Sequence, residues 1–324
     1  MITQAIDREM LDIKSLFTRK HDLDLSIIKD LNDPIPTVQF RNIREVARRI
    51  HRARERSAAV ILMMGAHVFR SGVQMFIIDL MKRGYINHLA INGAGIIHDF
   101  ELSLIGATTE NVERYIREGQ FGLWKETGYL NEIINSAYQE DAQTGMGWVV
   151  GKAIYEGDYR YKVISLLAAG YRLKIPVTVH VSIGQDIIHE LPNCDGAATG
   201  ALSYNDFLSF AASVQKLENG VIMNFGSAVM APEVFLKALS MARNIAHQRG
   251  DAIRRFTTFV CDLHDLPESV AKEPSKKDFF YYFRPWKTML ARAVKEGGES
   301  FYQKGLHEET IPKLWKAIGE VEEL

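Results

Sequence analysis

Cysteine, net charge and long apolar runs are all scarce in this sequence, and each shortage excludes a class of protein. The two cysteines among 324 residues, Cys194 and Cys261, show neither a disulfide framework nor metal-ligand spacing, which favours a reducing cytoplasm. A formal net charge of -1 provides no field that would attract nucleic acid or an anionic membrane. No apolar run is long enough to span a bilayer, and the early charges Asp7 and Arg8 argue against a signal peptide. We therefore expect a cytoplasmic protein with neither a nucleic-acid nor a membrane partner.

Several catalytic motifs are also missing. The sequence contains no phosphate-binding P-loop, no G-x-S-x-G nucleophile elbow and no H-E-x-x-H zinc motif. The turn Asn92-Gly93-Ala94-Gly95 follows a short apolar run, but His98 stands where the G-x-G-x-x-G dinucleotide fingerprint needs its third glycine. The turn is therefore either a nucleotide-binding turn of another kind or a plain tight turn.

The sequence does contain a series of short apolar runs that end in glycines or acids. Residues 58–64 form a continuous apolar run typical of a buried parallel strand, and residues 72–83 have one apolar face, which predicts a helix. A second strand at 88–91 completes a right-handed parallel unit. The turns after the two strands, Gly65-Ala66-His67 and Asn92 to Gly95, should therefore meet at one edge of the sheet.

Further strands are predicted at 175–181, 220–225 and 257–260, with helices between them. At least five strands that alternate with helices predict an α/β fold, with a single domain at 57–324 built on a mostly parallel, Rossmann-like sheet flanked by helices. In such a sheet the ligand lies across the carboxyl ends of the strands.

Two other helices are predicted, one at 110–118 capped by Thr108 and Thr109 and one at 203–217. Residues 1–56 are predicted to form an N-terminal helical extension. Its basic helix at 42–56 is either a phosphate-binding patch or a solvated face or subunit contact.

The irregular segment from residue 184 to residue 200 holds several chemically useful side chains. Long irregular loops inside compact domains are uncommon and are often functional. Asp186, His189, Glu190 and Asp195 could form a metal site or an acid–base site. Cys194 is either a nucleophile or a small buried thiol. No motif specifies a metal, and we assign no metal ligand.

Lys287 is a candidate nucleophile because it follows Trp286 and the aromatic run at 279–283. Aromatic walls would desolvate the ammonium group and lower its pKa, which would allow the amine to form a Schiff base. The alternative is a surface lysine that lies along an aromatic helix.

The order of these motifs resembles that of the deoxyhypusine synthase family over residues 57–320. The resemblance is carried by the segments Ser71-Gly72-Val73, residues 90–99, Ile175-Pro176-Val177 and Gly226-Ser227-Ala228-Val229. It implies an NAD-binding α/β domain that forms homotetramers with active sites at dimer interfaces. It also implies oxidation of spermidine by NAD, with an active-site lysine that holds the butylamine group as an imine before transfer to a lysine of a translation factor.

The resemblance assigns roles to positions of this chain, although several residue types differ. His98 falls where the family has a glutamate, and Glu233 falls where it has the catalytic histidine. The implied imine lysine is Lys287. Together with the strand-end turns, the resemblance implies cofactor contacts by Gly65, Ala66, His67, Ser71, Asn92, Gly93, Ala94, Gly95, Gly226, Ser227, Asp262 and Glu309. The expected catalytic residues are Lys287, Glu233, His98, His189 and Asp195, and the expected substrate contacts are Asp186, Glu190 and Trp286.

The sequence thus predicts a deoxyhypusine synthase-like, NAD-dependent transferase. It would move an aminobutyl-type group from a polyamine such as spermidine to an amine acceptor, either a protein lysine or a small diamine. One alternative is a different enzyme on the same fold, with a metal or acid–base site between Asp186 and Asp195. Another is an NAD-binding protein without catalytic activity.

Overall fold

The computed structural model describes residues 6–267 and 269–322. Six strands form a sheet in the order β5-β3-β2-β6-β7-β8, and every neighbouring pair in it is parallel. A separate antiparallel pair joins β1 to β4. The strands are β1 His21–Asp24, β2 Val60–Met64, β3 His88–Asn92, β4 Ala107–Glu110, β5 Val177–His180, β6 Val221–Phe225, β7 Thr257–Asp262 and β8 Glu299–Lys304.

Helices cover both faces of the sheet. The α-helices are α1 Ile43–Glu55, α2 His67–Arg70, α3 Gln74–Lys82, α4 Gly93–Ile105, α5 Val112–Arg117, α6 Tyr129–Glu140, α7 Met146–Glu156, α8 Leu166–Leu173, α9 Gly196–Val214, α10 Met230–Gln248 and α11 His307–Glu322. A π-helix runs over Pro285–Arg292. Among the described residues, no helix is both long enough and apolar enough to cross a membrane.

The central strands are buried on both faces because their sequences are almost continuously apolar. In β2, Val60, Leu62 and Met64 belong to the core cluster on one face, whereas Ile61 and Met63 belong to the cluster on the other. The sequence prediction of an α/β fold with a mostly parallel, Rossmann-like sheet is confirmed.

The direction of strand addition reverses once. The chain adds β3 and then β5 on one side of β2, and it then returns to add β6, β7 and β8 on the other. This order corresponds to the 3-2-1-4-5-6 arrangement of Rossmann sheets, in which a crevice opens between the first and fourth strands. In this protein the crevice lies between the carboxyl ends of β2 and β6.

The basic helix near the N-terminus is part of the main core. Five apolar side chains of α1 are buried, and they pack in the same cluster as residues of α11. The arginines of α1 lie on its other faces, so their charge stays accessible to solvent. The domain boundary at residue 56 stays a prediction.

Two local predictions from the sequence were wrong, and one strand was missed. Thr108 lies in β4, and Asn111 caps α5 by accepting the backbone N–H of Arg114 at 2.8 Å. Helix α9 begins at Gly196 rather than at residue 203, because Asp195 accepts the N–H of Ala197 at 2.7 Å. Strand β8 was not predicted, since its side chains are mostly half-exposed at the sheet edge and show no apolar run.

Asp206 connects three elements from a fully buried position. It lies on α9 and accepts the backbone N–H groups of Gly147 on α7 at 2.9 Å and Val179 on β5 at 2.8 Å. An unpaired buried N–H costs about 1–3 kcal/mol. We expect Asp206→Ala to lower the free energy of unfolding by about 3–5 kcal/mol, since it leaves both groups unpaired and opens a cavity.

Urea denaturation followed by circular dichroism measures this loss. The control Asp251→Ala removes an exposed carboxylate from the loop after α10, and we expect it to change stability by at most about 0.5 kcal/mol. Equal losses of unfolding free energy in the two variants would contradict the structural role assigned to Asp206.

Candidate functional site

Two glycines meet where the strand order reverses. Gly65 follows β2 and Gly226 follows β6, and a Cβ added to Gly65 would collide with the carbonyl oxygen of Gly226. Gly226 also has a φ of 65°, a conformation that favours glycine. At this point the ends of β2 and β6 pack backbone against backbone.

His307 lines the same crevice from the first turn of α11. Its ring lies 6.0 Å from the ring of Phe225 and fills the place of a Cβ on Gly226. The Nδ1 atom is buried and has no hydrogen-bond partner among the described residues. Burial lowers the pKa of His307 to about 4, so the ring is neutral near pH 7. A neutral ring with an unpaired nitrogen can donate to or accept from a ligand.

The sequence interpretation missed His307 and chose Glu309 instead. The sequence signal that could have found His307 is its position shortly after the end of a strand, but that strand, β8, was not predicted.

His67 lies on the other side of the crevice. Burial, and secondly the charge of Arg70, lower the pKa of His67. The Ser71 hydroxyl donates to the carbonyl of His67 at 2.9 Å. Ser227 is buried and accepts the N–H of Ala231 at 3.0 Å.

The turn after β3 faces a carboxylate from the neighbouring strand's loop. The Asn92 side chain accepts the N–H of Gly95 at 3.1 Å and caps α4. The carboxylate of Asp186, from the loop after β5, fills the place of a Cβ on Gly93. Asp186 Oδ2 is buried without a partner, and burial raises the pKa of this group to about 6. The helix start stabilises this carboxylate, which in turn repels a second anion and attracts a cation.

A cavity of about 280 Å³ opens beside Asp186. Charged groups of both signs line it, including Arg19, Arg70, Glu101, Glu110 and Asp186. Such a lining suits a small polar molecule with an amine.

The base of this cavity is a buried ion pair. Arg19 donates to both oxygens of Glu101, at 3.0 and 2.6 Å, and each side chain is 1% exposed. The hydroxyls of Thr108 and Thr127 also donate to Glu101, at 2.9 and 2.7 Å. The network attaches the N-terminal segment to α4 and completes one wall of the cavity.

His98 belongs to the same network. The Thr108 hydroxyl uses its proton on Glu101, so His98 Nδ1, at 2.8 Å from that oxygen, carries a proton and donates. Burial lowers the pKa of His98 to about 4, so the ring is neutral. Its Nε2 is then available to accept a hydrogen bond from a ligand in the cavity.

The side chains of the predicted acid–base loop have different roles in the structure. Asp195 caps α9, as described above. His189 Nδ1 accepts the N–H groups of Gly184 and Asp186, both at 3.3 Å, while its Nε2 is buried and unpaired. Burial, together with the charge of Glu110, raises the pKa of Glu190 to about 7. Over residues 6–267 and 269–322, no group of three or more His, Cys, Asp and Glu side chains could hold a metal ion.

Lys287 and Glu233 lie on the β6 side of the crevice. The ammonium group of Lys287 is 3.7 Å from the ring centroid of Tyr281. Glu233, in the first turn of α10, pairs with Lys237 and with Arg284 at 2.9 Å. A hydrogen bond from Lys237 is the main cause that lowers the pKa of Glu233. These groups lie across β2 from Asp186 and His98.

Two other expected site residues have structural partners. Trp286 is 4% exposed, and its indole N–H donates to the carbonyls of Val270 at 3.0 Å and Lys272 at 3.1 Å. Its ring is thus part of the core. Asp262 ends β7 and accepts the N–H of Leu263 at 2.7 Å.

The buried Arg19–Glu101 pair generates a stability prediction. Glu101→Gln removes the carboxylate that pairs with both guanidinium nitrogens and leaves the buried Arg19 charge only Glu110, at 4.0 Å; breaking a buried pair costs about 3–5 kcal/mol. Thermal and urea unfolding measure the change. Glu45→Gln is the control because Glu45 pairs with Arg48 and Arg49 at the surface, where an ion pair contributes about 0–1 kcal/mol. A loss below about 1 kcal/mol for Glu101→Gln would show that the pair does not hold the N-terminal segment.

Comparisons with known proteins support the fold. The sequence matches no protein-family model and no curated protein. Unliganded AgrE is similar in structure with a TM-score of 0.50 at 15% identity, over 86% of this chain and 32% of AgrE. AgrE in complex with ornithine and NAD+ has a TM-score of 0.49 at 14% identity, over 87% of this chain and 33% of AgrE. A putative deoxyhypusine synthase from Entamoeba histolytica has a TM-score of 0.48 at 9% identity, over 86% of this chain and 88% of that protein.

This chain spans about a third of the length of AgrE. Over that part, the two proteins share an α/β fold.

Proposed function

We propose that the protein binds NAD in the crevice between β2 and β6 and uses it to transform an amine. The observation that carries the proposal is the close contact of Gly65 with Gly226 at the reversal of strand order. Dinucleotides bind across this point in Rossmann sheets, where the backbone must come near the pyrophosphate.

The residues of the crevice fit such a ligand. The ring of His307 covers Gly226, and its unpaired Nδ1 would find a partner on the ligand. The turn at Gly93 is less suited to a phosphate because the Asp186 carboxylate lies against it. NAD would supply an acceptor for a hydride from the carbon beside the amine nitrogen.

The cavity beside Asp186 is the proposed site for the amine. The Asp186 carboxylate, one oxygen of which has no partner, would hold an ammonium group. The neutral His98 would accept a hydrogen bond from the amine through Nε2. A polyamine such as spermidine provides the chemistry that these groups recognise.

The finer proposal is transfer of an aminobutyl group. The Lys287 amine would add to the oxidised donor, release its other amine fragment and hold the aminobutyl group as an imine. An acceptor amine would then replace Lys287, and return of the hydride taken up earlier would reduce the new imine to the product amine. The acceptor would be a protein lysine or a small diamine. Because β2 separates Lys287 from Asp186, the proposal includes a homotetramer in which chains share active sites, as the family resemblance implies.

Isothermal titration calorimetry tests the cofactor and the amine site together. We expect NAD to bind the native protein and spermidine to strengthen that binding. In Asp186→Asn the strengthening by spermidine should fall at least about tenfold, because the amide has no charge to pair with the ammonium. Asp158→Asn, which changes an exposed aspartate, is the control and should match the native protein.

The effect of spermidine should also depend on pH. Burial raises the pKa of Asp186 to about 6, so the carboxyl group is neutral below this pH and charged above it. The strengthening by spermidine should therefore appear as the pH rises through about 6. Absence of NAD binding by the native protein would overturn the proposal. If NAD binds but spermidine does not change its affinity at any pH, the alternative of a non-catalytic NAD-binding protein is favoured.

Borohydride reduction tests the imine. With NAD and spermidine present, the native protein should gain the mass of an aminobutyl group at Lys287, located by peptide mass spectrometry. Lys287→Arg should lose both the adduct and turnover, because a guanidinium group stays protonated and does not form an imine. Lys295→Arg, an exposed control just beyond the same π-helix, should keep both. Full turnover in Lys287→Arg would exclude this lysine as the nucleophile.

A further inference from the structure

A second charged cavity lies at the opposite edge of the sheet. It has a volume of about 230 Å³ and is lined by Arg49 and Arg52 of α1, by Arg56 directly after this helix, by Arg255 just before β7, and by one carboxylate, Glu299. Its base is formed by residues at the amino ends of β6, β7 and β8. Parallel strands place their amino and carboxyl ends at opposite edges, so this cavity is separate from the crevice and from the amine site.

The arginines of α1 converge because of their spacing. Position 52 follows position 49 by three residues, and position 56 follows position 52 by four. Positions at these spacings share one face of a helix. Like charges at this spacing repel one another. An arrangement that gathers them around a cavity is therefore favourable only when anions lie between them.

The protein's own carboxylates neutralise only part of this charge. Arg49 pairs with Glu299 at 2.7 Å and with Glu45 at 3.1 Å, and Arg255 pairs with Glu218 at 3.0 Å. Arg56 has no carboxylate partner within the described part of the chain, and Arg52 has no ion pair or side-chain hydrogen bond there. Two guanidinium groups thus remain available to an external anion.

The turn before β6 positions one of these groups. Asn219 adopts a left-handed conformation with a φ of 61°, and its side-chain oxygen accepts a hydrogen bond from Arg56 at 3.1 Å. The bond directs a guanidinium that has no counter-ion toward the cavity. On the opposite rim, Gly297 has a φ of 120° and carries no side chain that would fill the space.

We propose that this arginine cavity binds a small phosphorylated molecule that carries a diphosphate group. Guanidinium groups form paired hydrogen bonds with phosphate oxygens and remain charged at all physiological pH values. Two unpaired arginines match the two phosphates of a diphosphate, and the cavity has room for one. The diphosphate belongs either to free pyrophosphate or to a nucleoside diphosphate.

Calorimetric titration with inorganic pyrophosphate tests the proposal on the full chain with NAD already present. We expect one site per chain, with an affinity that falls as salt rises because the charges are near the surface. The double variant Arg52→Gln, Arg56→Gln should bind pyrophosphate at least tenfold more weakly and should bind NAD as the native protein does. Its thermal midpoint without ligand shows whether it is folded.

Arg48→Gln is the matched control, since Arg48 lies on the same helix, pairs with Glu45 and does not line the cavity. It should bind pyrophosphate normally. An equal loss in Arg48→Gln, or no binding of pyrophosphate by the native protein, would overturn the proposal. A change of oligomeric state in the double variant without loss of pyrophosphate binding would also overturn it, and would identify a subunit contact.

Titration with ADP distinguishes the two sources of the diphosphate. ADP that competes with pyrophosphate, and that binds weakly to the double variant, would indicate a nucleoside diphosphate. Pyrophosphate binding without ADP binding would indicate the free anion.

Discussion

The contact between the backbones of Gly65 and Gly226 is the constraint on which the site depends. Strands β2 and β6 are adjacent in the sheet, although about 160 residues separate them. The turns can lie side by side because Gly65 has no side chain, which would collide with the carbonyl oxygen of Gly226. At Gly226 the absent side chain leaves the space that the His307 ring fills. The glycines thus fix the packing of β2, β6 and α11 at this point.

The buried acids of this protein fall into two kinds. Glu101 and Asp206 each accept several hydrogen bonds, which connect distant segments. Asp186 instead keeps one buried oxygen without a partner. A buried carboxylate without a partner is costly unless a ligand completes it. This difference separates the acids that hold the fold from the acid that is available for binding.

The two edges of the sheet differ in their charged groups. Groups of both signs line the cavity at the carboxyl edge, whereas arginines of α1 gather at the amino edge. The net charge of -1 reveals neither arrangement. Charge balance over a whole chain therefore says little about its local ligands.

The sequence by itself determined the parallel sheet, because β2, β3 and β6 are apolar runs that cannot lie at a surface. It also determined that glycine turns follow these strands. Only the tertiary structure decided which turns meet, since the strand order is set by packing between distant segments. It brought Asp186 onto Gly93, sent the Trp286 indole to backbone carbonyls, and placed His307 in the crevice through an edge strand with no apolar signal. Contacts of this kind join residues far apart in the chain, and local patterns carry no information about them.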